Sequence, residues 1–281
     1  MYHENKYNSI TSKHYLNPGK NLNDLDLMRL YGAMIEINIQ GKQNVDNLYL
    51  KEGLPLEKVR EIYNECIITL FSDKDSHFGF LVSPILKSNN YTVMHAGLII
   101  FSRNPGGDFM SLATLSNFTM AYEAYGKVLV TNITSTPSII EVFTNSVSYA
   151  WPSPKMNIKL TPKGYRAAIK MLEDEYMKKY FPSNSDVKID LKRFTMTSNS
   201  NEMGFSTDYY KLSRANKYIY QAFCKTWIDY SKSEDVIQVG QINFLTYLQQ
   251  RVKLTLLKYK LQRVIKRKEN RPIENKLKHA A

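Results

Sequence analysis

Residues 91–132, YTVMHAGLIIFSRNPGGDFMSLATLSNFTMAYEAYGKVLVTN, decide how the chain folds. Tyr91 to Phe101 is rich in β-branched and aromatic residues and predicts a buried strand. Arg103-Asn104-Pro105-Gly106-Gly107-Asp108 carries a proline and two glycines and predicts a backbone bend. Phe109, Leu112, Leu115, Phe118 and Tyr122 then recur at spacings of three and four. They predict a helix from Asp108 to about Tyr125, ended by Gly126. Val128-Leu129-Val130 predicts another buried strand. This alternation calls for a sheet with helices packed on it.

On the N-terminal side, residues 1–20 are polar and end in the turn signal Asn17-Pro18-Gly19, which predicts a poorly fixed arm. Asn23-Asp24 is suited to cap a short helix through Leu25, Met28 and Tyr31, with Gly32 ending it and a strand at Ile35–Ile39. Pro55 suits a first helical turn. Leu56, Val59, Ile62, Tyr63, Cys66, Ile67 and Leu70 then predict one continuous apolar helix face. Phe78 to Val82 predicts a short strand.

On the C-terminal side, Thr134, Ser135 or Thr136 can cap a helix with Pro137 at its first position, bearing Ile139, Ile140 and Phe143. Thr161-Pro162 predicts another, running to Tyr180. Residues 182–206 are turn-rich, with a candidate strand at Val187–Phe194. Tyr218–Trp227 is helix-like, and Val236–Val239 is strand-like. Ile242 to about Lys268 has the period of a long amphipathic helix. The expected class is α/β, a mixed sheet with flanking helices and a helical C-terminal extension. The expected divisions are a flexible arm at 1–20, a core at 21–160, an α/β extension at 161–240, and a basic amphipathic helix and tail at 241–281.

The charge is unevenly spread. The chain carries a net +12, and residues 251–281 hold eleven Lys or Arg against Glu269 and Glu274, so +9 of it sits there. The body is nearly neutral, which argues against reading the whole protein as a nucleic-acid binder. The terminal helix could dock its apolar side on the body, lie on an anionic membrane through residues 242–268, or touch nucleic-acid phosphates, the last being the weakest match. Leu245, Leu248, Val252, Leu256, Leu257, Leu261 and Val264 are the residues expected to group on its apolar side. Two cysteines in apolar surroundings, no apolar leader and no long apolar run predict a reduced, cytoplasmic protein. Five scattered histidines give no metal-ligand set. There is no P-loop and no nucleophile elbow.

A bend with consecutive glycines ahead of a helix lets backbone N–H groups converge on an anion, helped by the positive end of the helix. Arg103 could clamp the same anion. By spacing alone, an ordinary surface turn accounts for these residues as well.

The strand, the R-x-x-G-G bend, the helix, the strand Lys127–Asn132 and the helix behind Thr136-Pro137 together resemble the acyl-CoA core of the GNAT N-acetyltransferase superfamily. The likeness spans roughly residues 55–155. The run from Val130 through Trp151-Pro-Ser-Pro is most similar to a divergent bacterial GNAT-like group. The resemblance implies an acyltransferase that moves an acyl group from acyl-CoA, or from an acyl carrier, to a small-molecule or protein amine. The family's Q/R-x-x-G-x-G/A pattern falls on Arg103, Gly106 and Asp108, with Asp108 in place of a small residue and Gly107 beside it. Asn104 lies within the same loop. The strand edges at Leu98, Ile100, Val130 and Asn132 would pair with the pantetheine arm. The position of the family's Tyr general acid falls on Phe143, and Tyr149 is the nearby alternative. A base is sought among His95, Asp108, Glu123 and Glu141. A histidine in an apolar strand is also a common buried core residue. The competing expectation is a non-catalytic GNAT-like scaffold that works through its basic helix.

Overall fold

The computed structural model describes residues 2–7, 9–41, 47–74, 76–103, 107–155, 164–178, 187–197 and 212–278. The strands are β1 (Tyr2–Tyr7), β2 (Ile10–Leu16), β3 (Cys66–Ser72), β4 (His77–Lys87), β5 (Thr92–His95), β6 (Leu98–Phe101), β7 (Val128–Thr134), β8 (Ser148–Trp151), β9 (Ile189–Asp190), β10 (Thr195–Thr197) and β11 (Glu234–Ile242). The helices are α1 (Pro18–Asn21), α2 (Asp24–Gln40), α3 (Leu56–Ile62), α4 (Gly107–Tyr125), α5 (Pro137–Ser146), α6 (Tyr165–Met171), α7 (Tyr218–Trp227) and α8 (Phe244–Lys278). A π-helical stretch, Leu172–Met177, continues α6.

The chain is a mixed α/β protein. Its strands form one sheet in the order β1-β2-β3-β4-β5-β7-β11-β10-β9, with β6 also on β4 and β8 also on β11. Strand β11, from beyond residue 160, lies antiparallel to β7, so the sheet joins segments expected to be separate. Side chains alternate across it as a strand's two-residue period requires. From β3, Cys66, Ile68 and Leu70 enter a core with Leu27, Met34 and Ile37 of α2 and with Ala168 and Ile169 of α6. Ile67 and Phe71 face the other way, toward Phe118 and Phe109 of α4. Each large apolar side chain so enclosed stabilises the fold by roughly 1.5–3 kcal/mol.

Several elements differ from the sequence expectation, each for a physical reason. The polar arm is a β1–β2 hairpin whose second strand pairs with β3 along Thr11–Leu16. Strand β1 forms the edge of the sheet, while the buried Ser12 and His14 of β2 find their partners inside the protein, His14 bonding to Ser12 and Thr69. The helix capped by Asn23, whose Oδ1 accepts from the Asp26 N–H at 2.9 Å, runs through Gly32 to Gln40. One internal glycine costs only ~1 kcal/mol, less than the burial of Leu30, Tyr31, Met34 and Ile37 returns. The helix expected across residues 56–70 ends at Ile62, and Cys66–Ser72 is a central strand, with every residue through Phe71 buried. A strand buried on both faces has no alternation to betray it. Of Val187–Phe194, only Ile189–Asp190 is strand. Thr161, Pro162 and Tyr180 lie outside the described residues.

The stretch expected to be one strand at Tyr91–Phe101 is two, β5 and β6, separated at Ala96-Gly97. Gly97 has φ +71, and a Cβ there would overlap the carbonyl oxygen of Val82. Only glycine tolerates both conditions, so the break belongs to this residue. Substituting Gly97→Ala is expected to lower unfolding stability by more than about 2 kcal/mol, measured by urea denaturation. A near-neutral result would mean that the break is not fixed by backbone approach.

Candidate functional site

At the break the sheet divides. Strand β5 runs parallel to β7, with Val93, Met94 and His95 opposite Leu129, Val130 and Thr131. The Ala96 N–H donates to the Thr131 carbonyl at 2.7 Å, which closes this ladder. Beyond it, Leu98–Phe101 pairs with Gly79–Val82 of β4, and Asn132–Thr134 pairs with Val236–Gln238 of β11. Among the described residues no ladder joins β6 to Asn132–Thr134. Two strand edges therefore face each other across a fork whose apex is His95, Gly97 and Thr131. Backbone N–H and C=O groups along such edges are obliged to find partners.

The sequence candidates fall at different places around this fork. Leu98 and Ile100 lie on one arm, and Asn132 on the other. Val130 lies on the ladder below the apex. Asn104 and Gly106 lie outside the described residues. Gly107 opens α4, and Asp108 is in its first turn. Arg103, just after β6, is held by an ion pair with Asp73 and lies over the Phe78 ring at 4.4 Å. Asp108 is matched by Lys260 of α8 at 2.9 Å. That ammonium offsets the carboxylate at the start of α4, where a negative charge would otherwise oppose an incoming anion. Sequence reasoning missed Lys260, because 152 positions separate the partners.

His95 is buried at the apex. Its Nδ1 is 3.1 Å from the Thr131 hydroxyl, and its ring packs on Tyr176 with centroids 4.6 Å apart. Burial holds its pKa down to about 3, with a hydrogen bond from the ring to the Thr131 backbone acting in the other direction. The imidazole is therefore neutral at physiological pH and takes a proton reluctantly, which disfavours general-base work in this state. Tyr149 sits elsewhere. His95 is in register with Thr131, Thr131 with Val239, and Val239 with Trp151. Three strand spacings put the Trp151 end of that row about 14 Å from His95. Tyr149, two residues from Trp151, has φ +56, is half exposed, and accepts the Tyr165 hydroxyl on its carbonyl at 2.8 Å. The structure thus does not bring His95 and Tyr149 together. Phe143 is buried among Val130, Val147 and Ile242.

The free arm of β7 is braced from the other face. Asn132 Nδ2 donates to Gln238 Oε1 at 3.4 Å, while Gln238 Nε2 donates to Thr144 Oγ1 at 3.1 Å and to the Pro152 carbonyl at 3.0 Å. One buried amide thereby ties the arm to α5 and to the turn after β8. A second polar chain reaches the apex through the core. Thr69 donates to Asn117 Oδ1 at 2.7 Å, Asn117 Nδ2 donates to Ser83 at 3.0 Å, and Ser83 donates to the Ala96 carbonyl at 3.3 Å. His14 Nδ1 meets the Thr69 oxygen at 2.8 Å, and its Nε2 meets Ser12 at 2.9 Å. Since the Thr69 proton is committed to Asn117, His14 carries its proton on Nδ1 and accepts from Ser12. Among the described residues no cluster of three His, Cys, Asp or Glu side chains could hold a metal ion.

Neither a family model nor a curated protein matches the chain. Among solved structures, the ribosomal-protein-S5-alanine acetyltransferase from Vibrio fischeri is similar at 10% identity and a TM-score of 0.31, over 46% of this chain and 74% of that one.

His14 and His95 make stability depend on pH. Burial holds both pKa values down to about 3, and for His14 the nearby Lys258 and His3 push the same way. Between their ordinary value of 6.5 and about 3, the unfolded chain binds more protons than the folded one, so stability falls as pH falls. From pH 7 to pH 5 each histidine is expected to remove roughly 2 kcal/mol. Urea unfolding at pH 7, 6 and 5 measures this, and His95→Gln should remove about half of the slope assigned to the pair. A flat profile would contradict neutral, enclosed imidazoles.

Proposed function

We propose that the chain is an acyltransferase that moves an acyl group from acyl-CoA, or from an acyl carrier, to an amine-type acceptor. The fork carries this proposal. A pantetheine arm is a chain of amides, and the facing edges at Leu98–Phe101 and Asn132–Thr134 offer it the hydrogen bonds that a strand would make. The amides at Gly106 and Gly107, with the start of α4, would receive the pyrophosphate. Arg103 would turn to it from Asp73. The acceptor nitrogen attacks the thioester carbonyl, the C–N bond forms, and the C–S bond breaks. The proton lost by nitrogen ends on the departing thiol. Of the two proposed proton-handling residues, His95 is the one beside the fork and would have to act by brief protonation there, while Tyr149, about 14 Å away across the strands, would not share that step.

A second possibility rests on specific observations. Phe143 stands where the resemblance calls for Tyr and is enclosed in the core, and His95 resists protonation. A protein with these properties could bind the thioester without turning it over.

Isothermal titration with CoA and with acyl-CoAs of increasing chain length tests the binding that both readings need. Saturable binding is expected, weakened about tenfold in Arg103→Ala by loss of the charge-assisted contact. If no thioester binds a chain whose circular dichroism is that of the folded protein, the proposal fails. Mass spectrometry of amine mixtures incubated with a bound acyl-CoA separates the two readings: acylated product supports transfer, and intact thioester supports binding alone.

A further inference from the structure

Helix α8 has two apolar faces. Thr246, Gln250, Leu254, Leu261 and Ile265 are buried, with Leu254, Leu261 and Ile265 in the core shared with α4, Phe71 and Phe78. Leu245, Leu248, Val252, Leu256 and Tyr259, at spacings of three and four, are exposed, Leu245 at 68% and Leu256 at 65%. At ~100° per residue this second stripe lies on the opposite side of the helix, about 21 Å long from Leu245 to Tyr259. The seven residues expected to group on one apolar side are thus split. Leu261 is buried, Leu257 is partly buried, and Leu245, Leu248, Val252, Leu256 and Val264 are exposed.

The surroundings of the outer stripe say what covers it. From Phe244 to Lys268 there are eight Lys or Arg and no Asp or Glu. Arg251 and Lys258 flank one side and reach Glu123 and Asn5. Lys253 and Lys260 flank the other and reach the Asn145 carbonyl and Asp108. The side chains of Arg251 and Lys260 are nevertheless 55% and 60% exposed. Arg263, beside the Tyr259 ring at 5.4 Å, and Lys266 are exposed where the stripe ends.

We propose that this face of α8 docks in the headgroup region of an anionic membrane. The leucines and the tyrosine enter the acyl boundary, and the flanking cations meet lipid phosphates. A second copy is a poorer occupant, because it would bring another helix of eight cations and no carboxylate against the first. Nucleic acid would leave the apolar stripe unused. No helix among the described residues is long and apolar enough to cross a membrane, so α8 lies on the surface. The proposal is independent of acyl transfer.

Cosedimentation of the full chain with phosphatidylcholine vesicles, with or without about one third phosphatidylglycerol, tests it. Binding to the anionic vesicles is expected, falling with added salt and at least about tenfold weaker in the triple variant Leu248→Gln, Val252→Gln, Leu256→Gln. These positions are exposed, so the variant should keep the unfolding midpoint of the parent. Absence of vesicle binding overturns the proposal. So does binding that the triple variant retains while Arg263→Gln, Lys266→Gln loses it, which would mark a contact with any polyanion, DNA included. A vesicle-indifferent dimer made monomeric by the triple variant would assign the face to self-association and also overturn it.

Discussion

The short parallel ladder between β5 and β7 is the constraint on which the rest of this structure depends. It spans three residue pairs and stops where Gly97, at φ +71, lies against the Val82 backbone. A side chain at that position would push the chain off β4 and remove the turn that sends β6 along β4 instead of β7. The fork, the placement of Arg103 after β6 and the start of α4 all follow from that one backbone approach. The buried polar chain from His14 to Ser83 ends on the carbonyl of Ala96, so the apex is fixed from the core as well as along the strands. Such a chain holds its geometry because an unmet polar group in the interior costs about 1–3 kcal/mol.

Helix α8 completes the side of the molecule that holds α4. Tyr122 stacks on Tyr247 with centroids 4.6 Å apart, Arg251 pairs with Glu123, and Lys260 pairs with Asp108. Ion pairs this exposed contribute little stability individually. They fix direction instead: α8 runs back along α4 from its end to its beginning. The basic segment therefore delivers a cation to the start of α4 while turning a second, apolar face outward. Composition alone shows the excess of charge but not that it is divided between these two tasks.

The sequence was most legible where local chemistry and tertiary packing agree. Helix α4, β7, the cap at Asn23, Pro137 at the head of α5 and the start of α8 all lie within a few residues of expectation, while α8 runs ten residues past its expected end. It misled where a central strand looks helical, as at Cys66–Ser72, and where polar residues border a sheet, as at Tyr2–Leu16. Gly97 was the available sign of a break within the strand, since a glycine inside a β pattern marks close backbone approach. No local signal could have supplied Lys260 beside Asp108, Gln238 beneath Asn132, or the 14 Å order of separation between His95 and the row's far end. These follow from strand order, which pairs residue 131 with residue 239.

The account stands or falls on whether the two arms of the fork are open to a ligand. Amide hydrogen exchange, read by mass spectrometry with and without a bound acyl-CoA, addresses this directly. The account predicts strong protection across Val93–His95 in both states, and weaker protection in Leu98–Phe101 and Asn132–Thr134 that rises when the thioester is added. Full protection of both arms in the free protein, unchanged by ligand, would contradict it.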